Sequence, residues 1–166
     1  MTDTLLPDDI DSLAEKVVEA NSEAGRTVVL AESCTGGLVA GALTEISGSS
    51  AVLDRGFVTY SNESKMEMLG VPSDIIETFG AVSIACVWAM AQGALKQSNA
   101  DVAVAISGVA GPGGGTATKP VGTVVFARAI RGKDGEPEGE LKSFGDIGRA
   151  EVRRQATLCA LELLLP

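Results

Sequence analysis

The chain has 166 residues, 45% of them hydrophobic and 21% charged, with a net charge of -9 and no histidine. That length and hydropathy suit one domain spanning 1–166, with a core built from Ala, Val, Leu and Gly rather than aromatics. The acidic balance argues against a surface that tracks nucleic-acid phosphates, and the missing histidine removes Ser-His-Asp and Cys-His catalysis with every histidine-based zinc site.

The acidic start, MTDTLLPDDIDSLAEK, lacks the positively charged region of a secretory signal. No apolar run of about 18 residues appears, so no membrane association is expected. Cys34, Cys86 and Cys159 are scattered and form no CxxC pair, which reads as reduced thiols in a cytoplasmic protein.

Residues 8–24 read as an opening helix, with Ile10, Leu13, Val17 and Val18 at helical spacing and Gly25 as its stop. TVVLA at 27–31 is a short buried strand, ESCTGG at 32–37 a turn, and about 36–47 a helix. RGFVTY at 55–60 predicts a second strand. Asn62 is expected to cap a short helix closed by Gly70, and a further helical turn follows Pro72. Ser83 caps a helix over 84–98 with Ile84, Val87, Trp88, Ala91 and Leu95 on its apolar face. VAVAI at 102–106 and VGTVVFARAI at 121–130 are strands with no helix between them, which fits an antiparallel pair. RGKDGEPEGE at 131–140 is a polar turn, a strand follows near 140–145, and the last helix runs over about 149–165 with Val152, Ala156, Cys159 and Leu163 inward. Strands alternating with helices predict an α/β fold with a mixed sheet.

Four segments hold residues suited to chemistry. AESCTGG at 31–37 ends a buried strand and opens a helix, placing the Ser33 and Thr35 hydroxyls and free amides of Gly36 and Gly37 where an anion or oxyanion binds. The plain alternative is an ordinary helix cap, and Cys34 is a rival nucleophile. TYSNESK at 59–65 puts Lys65 in the first turn of a helix, where dipole and burial lower an amine's pKa and suit it to act as a base. Glu63 and Glu67 oppose this, and a solvated surface lysine is the plain reading. Tyr60, the only tyrosine, either relays a proton or packs a strand end. SGVAGPGGGTATKP at 107–120 fails the P-loop pattern, because Lys119 is followed by Pro120 and then a strand. It reads instead as a loop whose glycines let backbone approach a ligand, or as a simple hairpin loop. In GRAEVRRQA at 148–156, Arg149 and Arg153 share a helix face and suit a phosphate, unless they form an exposed basic stripe.

Taken together, AESCTGG, GSSAVLDRGFVTYSNESK, GAVS, AISGVAGPGGG, KPVGTV and VRRQA, in that order, resemble the C-terminal domain of the CinA family of competence/damage-inducible proteins, in the form that stands alone as an amidohydrolase. The similarity runs from about residue 10 to 165. It implies a three-layer α/β/α sandwich and hydrolysis of nicotinamide mononucleotide to nicotinate mononucleotide and ammonia, in recycling of pyridine nucleotides. It implies Ser33 as nucleophile and Lys65 as its base, with no metal and no cofactor. It implies Tyr60, Ser107, Gly108 and Arg149 near substrate, and a homo-oligomer, dimer or larger; Gly111 of the same glycine loop is a further substrate-binding candidate. Two other readings remain open on the residues alone. One is a nucleotide-binding or scaffolding module without turnover. The other is a metal-dependent phosphatase using Glu32, Asp54 or Asp101.

Overall fold

The computed structural model describes residues 3–135 and 137–166. Helix α1 (Asp8–Ala24) begins after Pro7, carries Asp8, Asp9 and Asp11 in its first turn, and ends at Gly25 in the left-handed conformation that glycine adopts without strain. Strand β1 (Val28–Glu32) is buried at every position and leads through the 33–37 turn into α2 (Leu38–Thr44). A short 3-10 turn precedes β2 (Leu53–Val58). Three helices follow, α3 (Asn62–Leu69), α4 (Ser73–Phe79) and α5 (Ile84–Lys96). The chain then runs through β3 (Val102–Gly108), β4 (Thr123–Ile130), β5 (Glu138–Ser143) and α6 (Arg149–Leu163).

The strands form one sheet in the order β2-β1-β3-β4-β5. β1 is parallel to β2 and β3, whereas β3, β4 and β5 run antiparallel to one another in sequence. Alternation sends Val28, Leu30, Val104, Ile106 and Phe126 toward α1, α2 and α6, and Val29, Ala31, Ala103, Ala105 and Ala127 toward α5. The second face is built largely of alanine, which lets α5 lie close to the sheet. The result is a three-layer α/β/α sandwich.

α2 crosses from β1 to β2 on one face, and α3, α4 and α5 carry the chain to β3 on the other. β1 therefore sits where the chain changes direction. The carboxyl end of such a strand opens a crevice between diverging loops.

Four sequence expectations shift. Ser61, not Asn62, caps α3, its Oγ accepting from the Ser64 amide at 3.1 Å. The buried face of α5 is Cys86, Val87, Met90, Ala91, Ala94 and Leu95, while Ile84 is 38% exposed at the helix start. On α6, Thr157, Ala160 and Leu161 join Val152 and Ala156 in the core, with Cys159 and Leu163 only partly covered. The polar turn is shorter than 131–140 because β5 begins at Glu138; Glu136 within it lies outside the described residues.

Candidate active site

Ser33 follows the last residue of β1, and its amide donates to the Ile106 carbonyl of β3 at 2.9 Å, so the sheet continues to hold it. Lys65 lies on α3 one helical turn before Leu69, and both face inward, at 1% and 3% exposure. Its Nζ meets Ser33 Oγ at 3.1 Å, the Thr59 carbonyl at 2.8 Å and the Tyr60 carbonyl at 3.4 Å. Burial holds the Lys65 amine below its ordinary value, with the nearby Cys86 and Cys34 pulling the other way by less. Glu63 and Glu67 point to solvent and do not enter that balance.

The turn after β1 is held rigidly. Glu32 is fully buried, and its two carboxylate oxygens accept from the Val39 and Ala40 amides at 3.0 and 3.1 Å, closing the first turn of α2. The Gly36 amide donates back to the Ser33 carbonyl at 2.9 Å. Gly36 and Gly37 have φ values of +59° and +100°, which favour glycine. Cys34 points toward the α1/α2/α6 core, and burial pushes its thiol up to about 11. A thiol so placed stays protonated and is a poor nucleophile.

Two arginines of α6 reach the same end of the sheet. Arg149 donates to the Gly111 carbonyl at 2.7 Å and to the Tyr60 hydroxyl at 2.9 Å. Arg153 donates from Nε to the Cys34 carbonyl at 3.0 Å, and its Nη2 lies 3.4 Å from the position a Gly36 Cβ would take. The glycine loop is tied down as well, by Arg149 at Gly111 and by Lys119 Nζ on the Val82 carbonyl. Among the described residues no group of metal-binding side chains converges.

A family model described as the CinA C-terminal domain matches residues 10–166. The chain belongs to the CinA C-terminal domain family. It is 52% identical over 164 residues to the nicotinamide-nucleotide amidohydrolase PncC of Escherichia coli K12, across 99% of this chain and 95% of that protein. It is 53% identical over 163 residues to a putative competence-damage inducible protein of Symbiobacterium thermophilum, across 94% of this chain but 38% of that longer protein. The crystal structure of competence/damage inducible protein CihA from Agrobacterium tumefaciens superposes with a TM-score of 0.93 at 52% identity, over 97% of this chain and 96% of that one.

Within this CinA-family fold, the predicted residues fall in three groups. Ser33, Lys65, Tyr60, Gly111, Arg149 and Arg153 are linked through direct contacts or through the 33–37 turn. Thr35, Gly36 and Gly37 form the turn itself. Ser107 and Gly108 prove to be strand residues at the end of β3 rather than loop residues. Gly108 lacks a side chain for a packing reason: a Cβ there would stand 2.9 Å from the Thr123 carbonyl of β4.

The carboxylates weighed for a metal do not meet. Glu32 caps α2, Asp54 pairs with Arg55 at 2.8 Å, and Asp101 accepts from the Thr27 amide at 2.8 Å. Two contributors escaped the sequence reading. Glu32 clamps the 33–37 turn through the first amides of α2, and the Thr59 carbonyl anchors Lys65. For Lys65 the legible signal was its position four residues before Leu69, a core position of the helix.

Proposed function

We propose that this CinA-family protein is an enzyme that hydrolyses nicotinamide mononucleotide to nicotinate mononucleotide and ammonia, with Ser33 as nucleophile and Lys65 as its base. The observation that carries the reading is the set of contacts around Lys65 Nζ. The Thr59 and Tyr60 carbonyls can only accept, so the two N–H bonds of a neutral amine go to them. The lone pair is then left for the Ser33 hydroxyl. Burial of the amine favours that neutral form.

In the proposed reaction Lys65 takes the Ser33 proton as Oγ attacks the carboxamide carbon, which the pyridinium ring makes electron-poor. The Gly36 amide is already bonded to the Ser33 carbonyl, and in this scheme the Thr35 and Gly37 amides of the turn hold the oxyanion. Lys65 then delivers its proton to the departing nitrogen, ammonia leaves, and water resolves the Ser33 ester. Arg149 and Arg153 supply positive charge for the substrate phosphate, and Tyr60 and Ser107 line the approach. On this reading the steps fall to this chain's own residues and water, in a single domain that works in the cytoplasm.

The name of the E. coli relative supports this substrate. Ammonia release from nicotinamide mononucleotide tests it. The native protein should turn over, Ser33→Ala should lose on the order of 10³-fold in kcat or more, and Cys34→Ala should stay active. A native protein that binds the nucleotide without releasing ammonia would instead be a binding module. Loss in Cys34→Ala with activity kept in Ser33→Ala would move the nucleophile to the thiol.

A further inference from the structure

Among the described residues, four buried side-chain atoms have no hydrogen-bond partner in the protein: Thr35 Oγ1, Thr59 Oγ1, Trp88 Nε1 and Arg128 Nε. Two of them belong to the segments that build the Ser33–Lys65 pair. A buried hydroxyl left unpaired costs about 1–3 kcal/mol, and nearly all buried polar groups in native proteins find a partner in protein or ordered water. Such an atom is where an ordered water can bond.

Thr59 is the more informative of the two. It is fully buried, and its amide donates to the Glu32 carbonyl at 2.9 Å, which sets it beside Ser33 at the end of the sheet. Glu32 and Val58 are register partners, and both turn toward α2: Glu32 caps it, and Val58 Cγ2 lies 3.5 Å from the Cβ position of Gly37. One residue on, alternation sends Ser33 and Thr59 to the opposite face, where α3 presents Lys65. The orphaned hydroxyl thus belongs to the residue whose carbonyl anchors the base at 2.8 Å.

We propose that the Thr59 hydroxyl holds the water that hydrolyses the Ser33 ester. The inference rests on the acyl-transfer reading above. Once ammonia has left, Ser33 Oγ is bonded to the acyl carbon and has no proton to offer Lys65. A water donating one hydrogen to Thr59 Oγ1 presents its other O–H to the freed lone pair of Lys65. As that proton moves to Nζ, the water oxygen bonds to the acyl carbon. The tetrahedral adduct collapses, the Ser33 Oγ–carbon bond breaks, and the proton on Nζ passes to Ser33 Oγ. The product acid loses its proton to solvent, and the enzyme returns to its starting state.

Thr59→Val replaces the hydroxyl by a methyl of similar shape, and Thr59→Ser keeps it. Rapid-quench measurement of ammonia from nicotinamide mononucleotide separates the two half-reactions. Thr59→Val should release about one ammonia per active site in a fast phase and then turn over at least tenfold more slowly than native. Hydroxylamine, a nucleophile that bypasses the held water, should raise that slow rate. Thr59→Ser should stay within a few-fold of native. A Thr59→Val protein at native rate, or one slowed without a fast phase, overturns the proposal. Should Thr59→Val fail to fold, a high-resolution crystal structure of the native protein decides: a water within hydrogen-bond distance of Thr59 Oγ1 supports it, and a dry hydroxyl overturns it. Absence of ammonia from the native protein would sink the underlying reading, whereas an active native protein with no fast phase in Thr59→Val sinks this inference alone.

Discussion

Lys65 carries a charge-bearing group to 1% exposure with no carboxylate partner among the described residues, an arrangement that stability alone does not favour. In the proposed mechanism its worth is the neutral amine. Lys65→Arg should therefore lose nearly all activity, since a guanidinium keeps its proton at working pH. The native rate should rise with pH toward a plateau whose midpoint lies below ~10.4, the ordinary lysine value. A Lys65→Arg enzyme with most of its rate would end the base assignment. The same burial has a consequence for stability. The native amine binds fewer protons than the unfolded one between its lowered value and ~10.4, so stability rises with pH across that window. Cys34 and Cys86, both raised by burial, act in the opposite direction in alkaline solution. The difference between native and Lys65→Met proteins isolates the lysine. By denaturant titration, Lys65→Met should gain relative to native at neutral pH, and the gap should shrink as pH rises. A gap that does not change with pH would mean the amine titrates normally. At this scale the sequence was legible for Ser33, where strand, turn and glycines adjoin. It was ambiguous for Lys65, because Glu63 and Glu67 flank it and only the fold shows that they face outward.

The elements that place these residues depend on one close approach. A Cβ on Gly93 of α5 would fall 1.9 Å from the Leu69 carbonyl oxygen and 3.1 Å from its Cα. Backbone cannot yield there as a flexible side chain would, so α3 or α5 must shift. Leu69 is one turn from Lys65, and the 3.1 Å contact with Ser33 moves with it. Gly93→Ala should cost about 1–3 kcal/mol in stability and, because a misplacement of about 1 Å can cost ~10²-fold in rate, should lower kcat by more than tenfold in protein that is still folded. Thermal melts and kcat measured on the same preparation check both parts; an unchanged kcat would show that α3 holds Lys65 independently of α5. The sequence showed α5 as a helix and placed Val87, Ala91 and Leu95 on its buried face, but it also put Ile84 and Trp88 there, since Ile84, Cys86, Val87, Trp88, Met90 and Ala91 leave few polar positions to break the symmetry. Its partner across Gly93 decides the face. The same limit applied to the start of α3, where Ser61 and Asn62 are both good caps and the Ser61 Oγ makes the bond.

Across the whole molecule, segments near residues 33, 60, 111 and 149 meet because β3 inserts beside β1 instead of following β2 to the outer edge. No local pattern encodes that order. Motifs and periodicity made the elements legible, but their convergence is a property of the sheet. The convergence also solves an electrostatic problem. A protein of net charge -9 repels a phosphate unless local cations offset its field. Arg149 and Arg153 stand at the start of α6, where the helix dipole also favours an anion. Both are held by backbone carbonyls, Gly111 for one and Cys34 for the other, which leaves further N–H groups for a ligand and fixes them before it arrives. A charge-assisted bond of this kind contributes about 1.5–3 kcal/mol, or roughly 10- to 100-fold in affinity. Arg149→Ala should then raise KM for nicotinamide mononucleotide more than tenfold. The dephosphorylated nucleoside should be a poor substrate for the native enzyme and nearly insensitive to the mutation, because the partner of the lost charge is already missing. Measuring kcat/KM for both substrates in both proteins closes the cycle. Arg149 also ties the Tyr60 hydroxyl, which predicts a distinct signature for a scaffolding role. If nucleotide and nucleoside lose equally, Arg149 acts by holding Tyr60 and Gly111 in place, and the phosphate is gripped elsewhere, with Arg153 the next arginine to replace.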